Sequence, residues 1–394
     1  MINFYNIQAT MEKTNDPALG LHYSSFVYDY YPLALPLSVD EEMLSYMDDA
    51  LQKQVNGNAV IYEFFRFYLR RLEEGGESGQ AMKDKLESLV REAGVNCIAL
   101  TLGDASKPLD EYESIIDSLD WWERFRRSFE HLKLARSSWE IEKLYQSDKL
   151  SLIFSLQDLG CIAQEISRIK TLYERGVRIA QLTYNGPNSI GFGCAVPSDE
   201  GLTDFGREAI EEMNRLGMVV DLSHCGPKTT AEGIAASKSP PVVTHSSSSV
   251  VFPHARAKSD EVIRDLAEKD GFFGVYTVPF FLTDQVNPGF DIFLRHLEHV
   301  IGLMGIERVG IGSDWGLWSP DVPKELLDAA MEAARKMGFS KGMNLTLGTS
   351  VGGMQDYTGW YRITEALIGA GYSEDQVRGL IGGNFFNYLK RAGV

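Results

Sequence analysis

Residues 201–247 read GLTDFGREAIEEMNRLGMVVDLSHCGPKTTAEGIAASKSPPVVTHSS, and two successive helix-to-strand passages are written in that stretch. Thr203 followed by Asp204 is a helix N-cap pair, and Ile210, Met213 and Leu216 recur at helical spacing on one face. Gly217 then releases the chain into Met218–Ser223, a run rich in β-branched and apolar residues. Pro241–Thr244 repeats the pattern. These runs are nearly continuous in apolar residues rather than alternating, which is what a strand buried on both faces of a parallel sheet requires.

Outward from this stretch the same alternation recurs. Further strands are expected at Phe26–Tyr28, Val95–Thr101, Leu150–Leu156, Val177–Thr183, Phe272–Tyr276 and Arg308–Gly312. Ser259-Asp-Glu opens a helix over Val262–Lys269, Gly271 is expected as its C′ glycine, and Ser373-Glu-Asp opens another over Gln376–Leu380. Eight strands alternating with helices place the chain in the α/β class as a (β/α)₈ TIM barrel, one domain over residues 1–394. The first half is less regular. A helical insertion is expected at about residues 38–92, with helices at Ser38–Leu51 and Val60–Leu72 and a Gly/Glu-rich turn at Glu73–Gly79. Leu119–Arg127, carrying Trp121, Trp122 and Phe125, reads as a helix whose aromatic face packs into a core or an oligomer contact.

Bulk properties narrow the function. A net charge of −17 excludes nucleic acid and an anionic membrane as partners, since both need a basic footprint. The four cysteines, Cys97, Cys161, Cys194 and Cys225, show no CxxC spacing and are expected as reduced thiols. The opening MINFYNIQAT lacks the basic start and apolar centre of a signal peptide, and no apolar run approaches the roughly 18 residues a spanning helix needs. A cytoplasmic location is the expectation.

In a barrel of this kind chemistry sits where strands end. His224 ends the fifth expected strand, His245 the sixth and Asp314 the eighth. Neutral imidazoles are the commonest ligands for zinc and similar metals, and a nearby carboxylate can bind metal or take a proton from water. Arg256 lies in the loop after His245, where its guanidinium could clamp a substrate carboxylate or simply brace the loop. His22, His131, His296 and His299 fall in helical or terminal stretches and read as structural, and Cys225 beside His224 reads as packing.

Four collinear stretches carry a family resemblance: GLTDFGREAIEEMNRLGMVVDLSHCGPKT, PPVVTHSSSSVVFPHARAKSDEVIRDLAEKDGFFGV, HVIGLMGIERVGIGSDW and GYSEDQVRGLIGGNFFNYLKR. From Lys149 onward the chain resembles the membrane (renal) dipeptidase family of the amidohydrolase superfamily, with weaker similarity reaching back to VREAGVNCIALTLGD and HLKLARSSWEIEKL. Members of that family hydrolyse dipeptides and some β-lactams with two zinc ions. The resemblance implies that His224 and His245 match the histidines of the second metal. Asp314 matches the acidic residue that handles the proton of the attacking water, and Arg256 the clamp on the substrate carboxylate. Family members are often dimers, so a homodimer is the assembly the resemblance implies.

The chain departs from the family where the first metal would bind. The pattern Asp-Gly-His-x-Asp after the first strand is replaced by Tyr28-Asp29-Tyr30-Tyr31-Pro32. Glu-Gly-Gly-His after the third becomes Gln157-Asp158-Leu159-Gly160, and a substrate-binding His after the fourth becomes Tyr184. Two nearby divalent ions repel strongly, and anionic ligands offset that repulsion. Loss of the His, the Asp and the bridging Glu therefore argues against a dinuclear centre. Asp29 or Asp158 could partly substitute, although each sits off the expected position.

What survives is an incomplete, mononuclear site. His224, His245 and the carbonyl oxygen of Gln157 would hold one divalent metal, zinc or iron, with Asp314 beside it and Arg256, Tyr184 and Tyr31 as substrate contacts. The expected activity is hydrolysis of a small amide, dipeptide or cyclic amide bearing a carboxylate. Two alternatives stay open: a non-hydrolytic lyase, isomerase or condensing enzyme in the same pocket with one metal or none, and a non-catalytic barrel supporting a partner.

Overall fold

The structure is a computed structural model that describes residues 16–31, 70–72, 74–102, 112–314, 350–354 and 357–394. The sheet strands are β1 (Tyr28–Tyr31), β2 (Cys97–Leu102), β3 (Leu132–Leu134), β4 (Leu150–Leu156), β5 (Val177–Gln181), β6 (Val219–Asp221), β7 (Val242–Ser246), β8 (Phe272–Val275) and β9 (Val309–Ile311). They pair in parallel in the order β1-β2-β4-β5-β6-β7-β8-β9, a nearly closed barrel of eight strands with β3 off the path. All eight expected strands are present.

Most strand ends shift by one or two residues, and two differences matter more. The first strand runs over Tyr28–Tyr31 rather than Phe26–Tyr28, so Asp29 and Tyr30 belong to the sheet itself. Strand β3 was not anticipated: three residues are too short for a periodicity to register. It pairs with Leu150–Leu152 of β4, and β5 takes over the same edge from Phe154, where the register shifts. Because of β3, the fifth, sixth and eighth strands of the sequence reading are β6, β7 and β9.

The helices carry the expected caps. Thr203 accepts from the Gly206 amide to start Asp204–Leu216, Ser259 caps Asp260–Glu268, and Ser373 with Gln376 forms a capping box. Gly217 takes φ +83° as the C-cap. Gly271 does not play that part. Asp270 is the left-handed residue, at φ +53°, whereas a Cβ on Gly271 would lie 2.6 Å from the Pro241 carbonyl oxygen. That glycine answers to close packing, not to a turn. Helix Gly76–Ala93 starts inside the stretch read as a turn. The helix expected at Ser38–Leu51, and the one at Val60–Leu72 up to residue 69, lie outside the described residues. The aromatic helix spans Tyr112–Arg127 and buries Leu119, Trp122 and Phe125.

Burial follows the two faces of the sheet. Outward residues such as Ile98, Leu152, Leu156 and Val220 pack under the helices, against Leu172, Ile210 and Ile263 among others. Inward residues Tyr28, Cys97, Ile153, Ile179, Val219, Val242 and Phe272 fill the barrel and meet Phe385, Tyr388 and Leu389 of the helix Asn384–Ala392. The Tyr28 and Phe385 rings stack at a centroid distance of 3.5 Å, and the Tyr388 hydroxyl donates to the Pro240 carbonyl, just before β7. This helix therefore closes the end of the barrel opposite the strand-end histidines. Each such side chain contributes about 1.5–3 kcal/mol through burial.

The barrel is sealed between β9 and β1 largely by one side chain. Asp29 accepts from Ser313 through the backbone amide (2.7 Å) and the hydroxyl (2.6 Å), from the Tyr357 hydroxyl (3.0 Å) and from the Trp360 indole (3.1 Å). Burial pushes its carboxyl up to about 6, against those four hydrogen bonds. Among the described residues no helix is long and apolar enough to cross a membrane. All four cysteines are buried and unbridged.

Candidate functional site

The site grows from a buried carboxylate that no sequence signal marked. Asp221, the last residue of β6, accepts at Oδ1 from the Ser223 amide (3.0 Å), the Ser223 hydroxyl (2.6 Å) and the Thr244 amide (3.3 Å). Its Oδ2 accepts from the Thr244 hydroxyl at 2.5 Å. The side chain thus ties the end of β6 to β7. Pairing of β7 with β8 is interrupted between Val243 and Ser246, an irregularity that falls on Thr244 and His245. The Thr244 carbonyl is turned toward the glycines of the next two strands: a Cβ on Gly274 or on Gly312 would lie 2.0 Å from its oxygen.

That arrangement aims His245 at His224, with their Nε2 atoms 3.1 Å apart. The far nitrogens fix the tautomers. His224 Nδ1 lies 2.8 Å from Asn185 Oδ1, which can only accept, so Nδ1 carries the proton. His245 Nδ1 lies 2.8 Å from the Thr244 hydroxyl, whose own hydrogen goes to the Asp221 carboxylate. Here too Nδ1 is the donor. Both Nε2 atoms then face each other with lone pairs. Burial, reinforced by the charge of Arg256, holds both imidazoles well below the usual histidine range, so no shared proton relieves the contact. Two acceptors at this separation call for a cation between them. Two nitrogens on one tetrahedral zinc lie about 3.3 Å apart, which the pair meets.

Two buried cations hold this geometry from behind. Arg256, fully buried, donates through Nη1 to the Ser223 carbonyl and through Nη2 to the His245 carbonyl (3.3 Å), while its Nε–H has no partner among the described residues. Lys258 donates from Nζ to the Leu222 and Cys225 carbonyls, both at 2.8 Å, and to the Thr230 hydroxyl at 3.1 Å. Burial lowers the Lys258 ammonium to about 8. The carbonyls on either side of His224 are thus braced by one short loop. Of the two readings open for Arg256, the loop brace is present in the geometry, and Nε is the guanidinium nitrogen left without a partner among the described residues.

The other expected residues fall as follows. Tyr184 stacks on His224 and Tyr30 on His245, both at centroid distances of 4.3 Å. Tyr31 ends β1, and its side chain lies outside the described residues. Asp314 follows β9 in a left-handed conformation (φ +50°), and burial pushes its carboxyl up to about 7, with Arg256 pulling the other way. Gln157 is buried just past β4, and its Oε1 has no partner among the described residues. Neither reserve carboxylate is available to a metal. Asp29 is the barrel seam. Asp158 accepts at Oδ1 from the Gly160 amide (2.7 Å) and the Asn188 amide group (2.6 Å), and at Oδ2 from the Tyr184 amide (3.1 Å). It shapes the loop that presents Tyr184. Among the described residues no cluster of three or more His, Cys, Asp or Glu side chains could hold a metal. The residues fit one cation on two imidazoles, and nothing in the described residues supports a second.

Four of the remaining five histidines lie away from the site and serve the fold. His22 bonds the Thr364 hydroxyl and the Ala93 carbonyl, and His296 the Ser248 amide and the Leu282 carbonyl. His299 pairs with Asp260, and His131 lies beside Lys149. Cys225 is packed in the core under the helices.

The paired imidazoles and the acid lie at the strand ends of a parallel barrel, the end on which such barrels build their active sites. The chain belongs to the membrane dipeptidase family, peptidase family M19, which matches residues 69–333. Among curated relatives, the dipeptidase verJ of Clonostachys rogersoniana is 34% identical over 193 residues, 48% of this chain and 49% of the relative. An uncharacterised dipeptidase of Schizosaccharomyces pombe is 31% identical over 230 residues, 56% of each chain. The chain thus matches about half the length of these relatives. Among solved structures, an amidohydrolase from Pseudomonas aeruginosa superposes with a TM-score of 0.71 at 23% identity, covering 95% of this chain and 98% of that one. A metallopeptidase from Rhodobacter sphaeroides, liganded with a phosphinate mimic of L-Ala-D-Ala, gives 0.61 at 22%, covering 78% and 89%. At these identities the superpositions speak for the fold.

Proposed function

We propose that the protein is a hydrolase of a small, carboxylate-bearing amide that works with one divalent ion, zinc or iron, held by His224 and His245. The facing Nε2 atoms at 3.1 Å, with both Nδ1 atoms committed as donors, carry this reading. An ion bound there supplies Lewis acidity toward a carbonyl oxygen and an attacking water. Gln157 Oε1 and solvent are the oxygens available to complete its shell.

The chain's own residues supply the rest. Asp314, near neutrality in its titration, accepts the proton of the attacking water and returns it to the departing amine. Arg256 keeps Nε–H for the substrate carboxylate while its two other arms hold the histidine turns. Tyr184 and Tyr30, lying flat on the imidazoles, form aromatic walls that shield the site from bulk water. Substitution of Tyr30 and Gln157 for the family's ionic groups favours a second reading, a non-hydrolytic reaction in the same pocket using the same acid and imidazoles.

Metal analysis of protein purified without chelators tests the proposal. One equivalent of zinc or iron is expected, falling to none in His224→Ala and His245→Ala. Two equivalents overturn it. So does metal-free protein that stays inert toward dipeptides after zinc is added.

A further inference from the structure

Beside the imidazoles, the barrel interior holds a pair of side-chain amides whose oxygens have no partner. Gln181, fully buried at the end of β5, donates its amide nitrogen to the Tyr30 hydroxyl at 2.8 Å, and Tyr30 lies flat on His245. This places Gln181 within one ring of the metal-type nitrogens. Gln157 follows Leu156, whose register partner across the β4–β5 ladder is Ala180, so the two glutamines stand side by side on adjoining strands. Neighbouring strands lie about 4.8 Å apart, within the reach of one small polar group. Both Oε1 atoms are buried, and among the described residues neither accepts a hydrogen bond.

An unmet buried carbonyl oxygen is costly, and two together mark a place built for a donor that comes from outside the chain. The electrostatics decide which donor. Among the described residues the carboxylates around the pair are committed: Asp29 and Asp221 are saturated with hydrogen bonds, Asp158 is tied into its loop, and the proposed function gives Asp314 to the proton of the attacking water. Two buried cations, Arg256 and Lys258, already stand behind the imidazoles. An ammonium would join like charges among neutral oxygens. A neutral N–H₂ satisfies both acceptors without that repulsion.

We infer that Gln157 and Gln181 form a subsite for a neutral N–H donor, so that the substrate is a carboxylate carrying a carboxamide, ureido or cyclic-amide nitrogen rather than the free ammonium end of a dipeptide. The inference deepens the proposed function and rests on its reading of one cavity. It moves Gln157 Oε1 from the metal's shell, where solvent takes its place beside the histidines, to the substrate.

Three probes of similar size separate the possibilities by titration calorimetry on the protein as purified. N-carbamoylglycine and N-acetylglycine differ only by NH₂ for CH₃, and glycylglycine offers an ammonium. N-carbamoylglycine is expected to bind at least 10-fold more tightly than either of the others. Gln181→Leu and Gln157→Leu are each expected to erase most of that preference, with metal content unchanged. A crystal structure with N-carbamoylglycine, its nitrogen within hydrogen-bond distance of both oxygens, gives the same answer without a variant that must fold. Equal binding of the three probes, a preference for glycylglycine or no measurable binding overturns the inference. So does metal lost on Gln157→Leu. Metal retained without the preference sinks the subsite alone, and the preference retained without metal sinks the metal reading alone.

Discussion

The tautomers of two histidines govern what this site can hold, and they are set by residues the sequence does not advertise. His224, His245, Asp314 and Arg256 are legible because strand-end histidines and acids stand out against apolar runs. Asn185, Asp221, Lys258 and Gln181 are not, because an ordinary polar residue shows its role only through its partner. Asp29 and Asp158 illustrate the same limit: spacing alone made them reserve ligands, whereas their hydrogen bonds commit them to the seam and to a loop. Asp314 makes a prediction at this scale. In its proposed role of proton acceptor it must be ionised, so kcat/KM is expected to rise with pH through about 7. Stability moves oppositely. A carboxyl raised on folding binds its proton more tightly in the native state, so its contribution is complete below the unfolded value near 4 and lost as pH rises through about 7. Thermal unfolding of Asp314→Asn between pH 4 and 7 should therefore fall less steeply than that of the parent. An identical slope, or a flat pH–rate profile, would remove Asp314 from the role.

At the level of elements, the interrupted pairing of β7 depends on two glycines in neighbouring strands. The eight barrel strands were readable from composition, since a strand buried on both faces must be apolar throughout. The irregularity at Thr244 was not, because it depends on what β8 and β9 leave open beside it. Gly274→Ala would place a methyl group 2.0 Å from the Thr244 oxygen, and the strand must shift. The expected cost is about 1–3 kcal/mol in denaturant unfolding, with metal affinity lost as His245 moves. Gly302→Ala is the control. It lies in the helix Phe290–Met304 with nothing within 4 Å, and alanine there should stabilise by up to about 1 kcal/mol. A Gly274→Ala protein that keeps its metal would show that the close approach does not position the histidine.

For the whole molecule, the two ends of the barrel divide the labour: imidazoles and acid at one, an aromatic stopper at the other. Phe385, packed against Tyr28, Phe272 and Tyr388, belongs to that stopper. Phe385→Ala should cost about 3–5 kcal/mol by chemical denaturation while leaving the metal stoichiometry at the opposite end unchanged. A variant that loses metal while remaining fully folded would show that the two ends are coupled.

The Asp29 junction has a consequence for how the chain is made. Its carboxylate meets Ser313 across 284 residues of chain and Trp360 across 331. During synthesis the first strand leaves the ribosome long before any group that can accept its charge. It must wait, unsealed, while the intervening strands assemble. Newly made chains therefore pass through an open sheet whose first strand has a bare edge until the circle can shut.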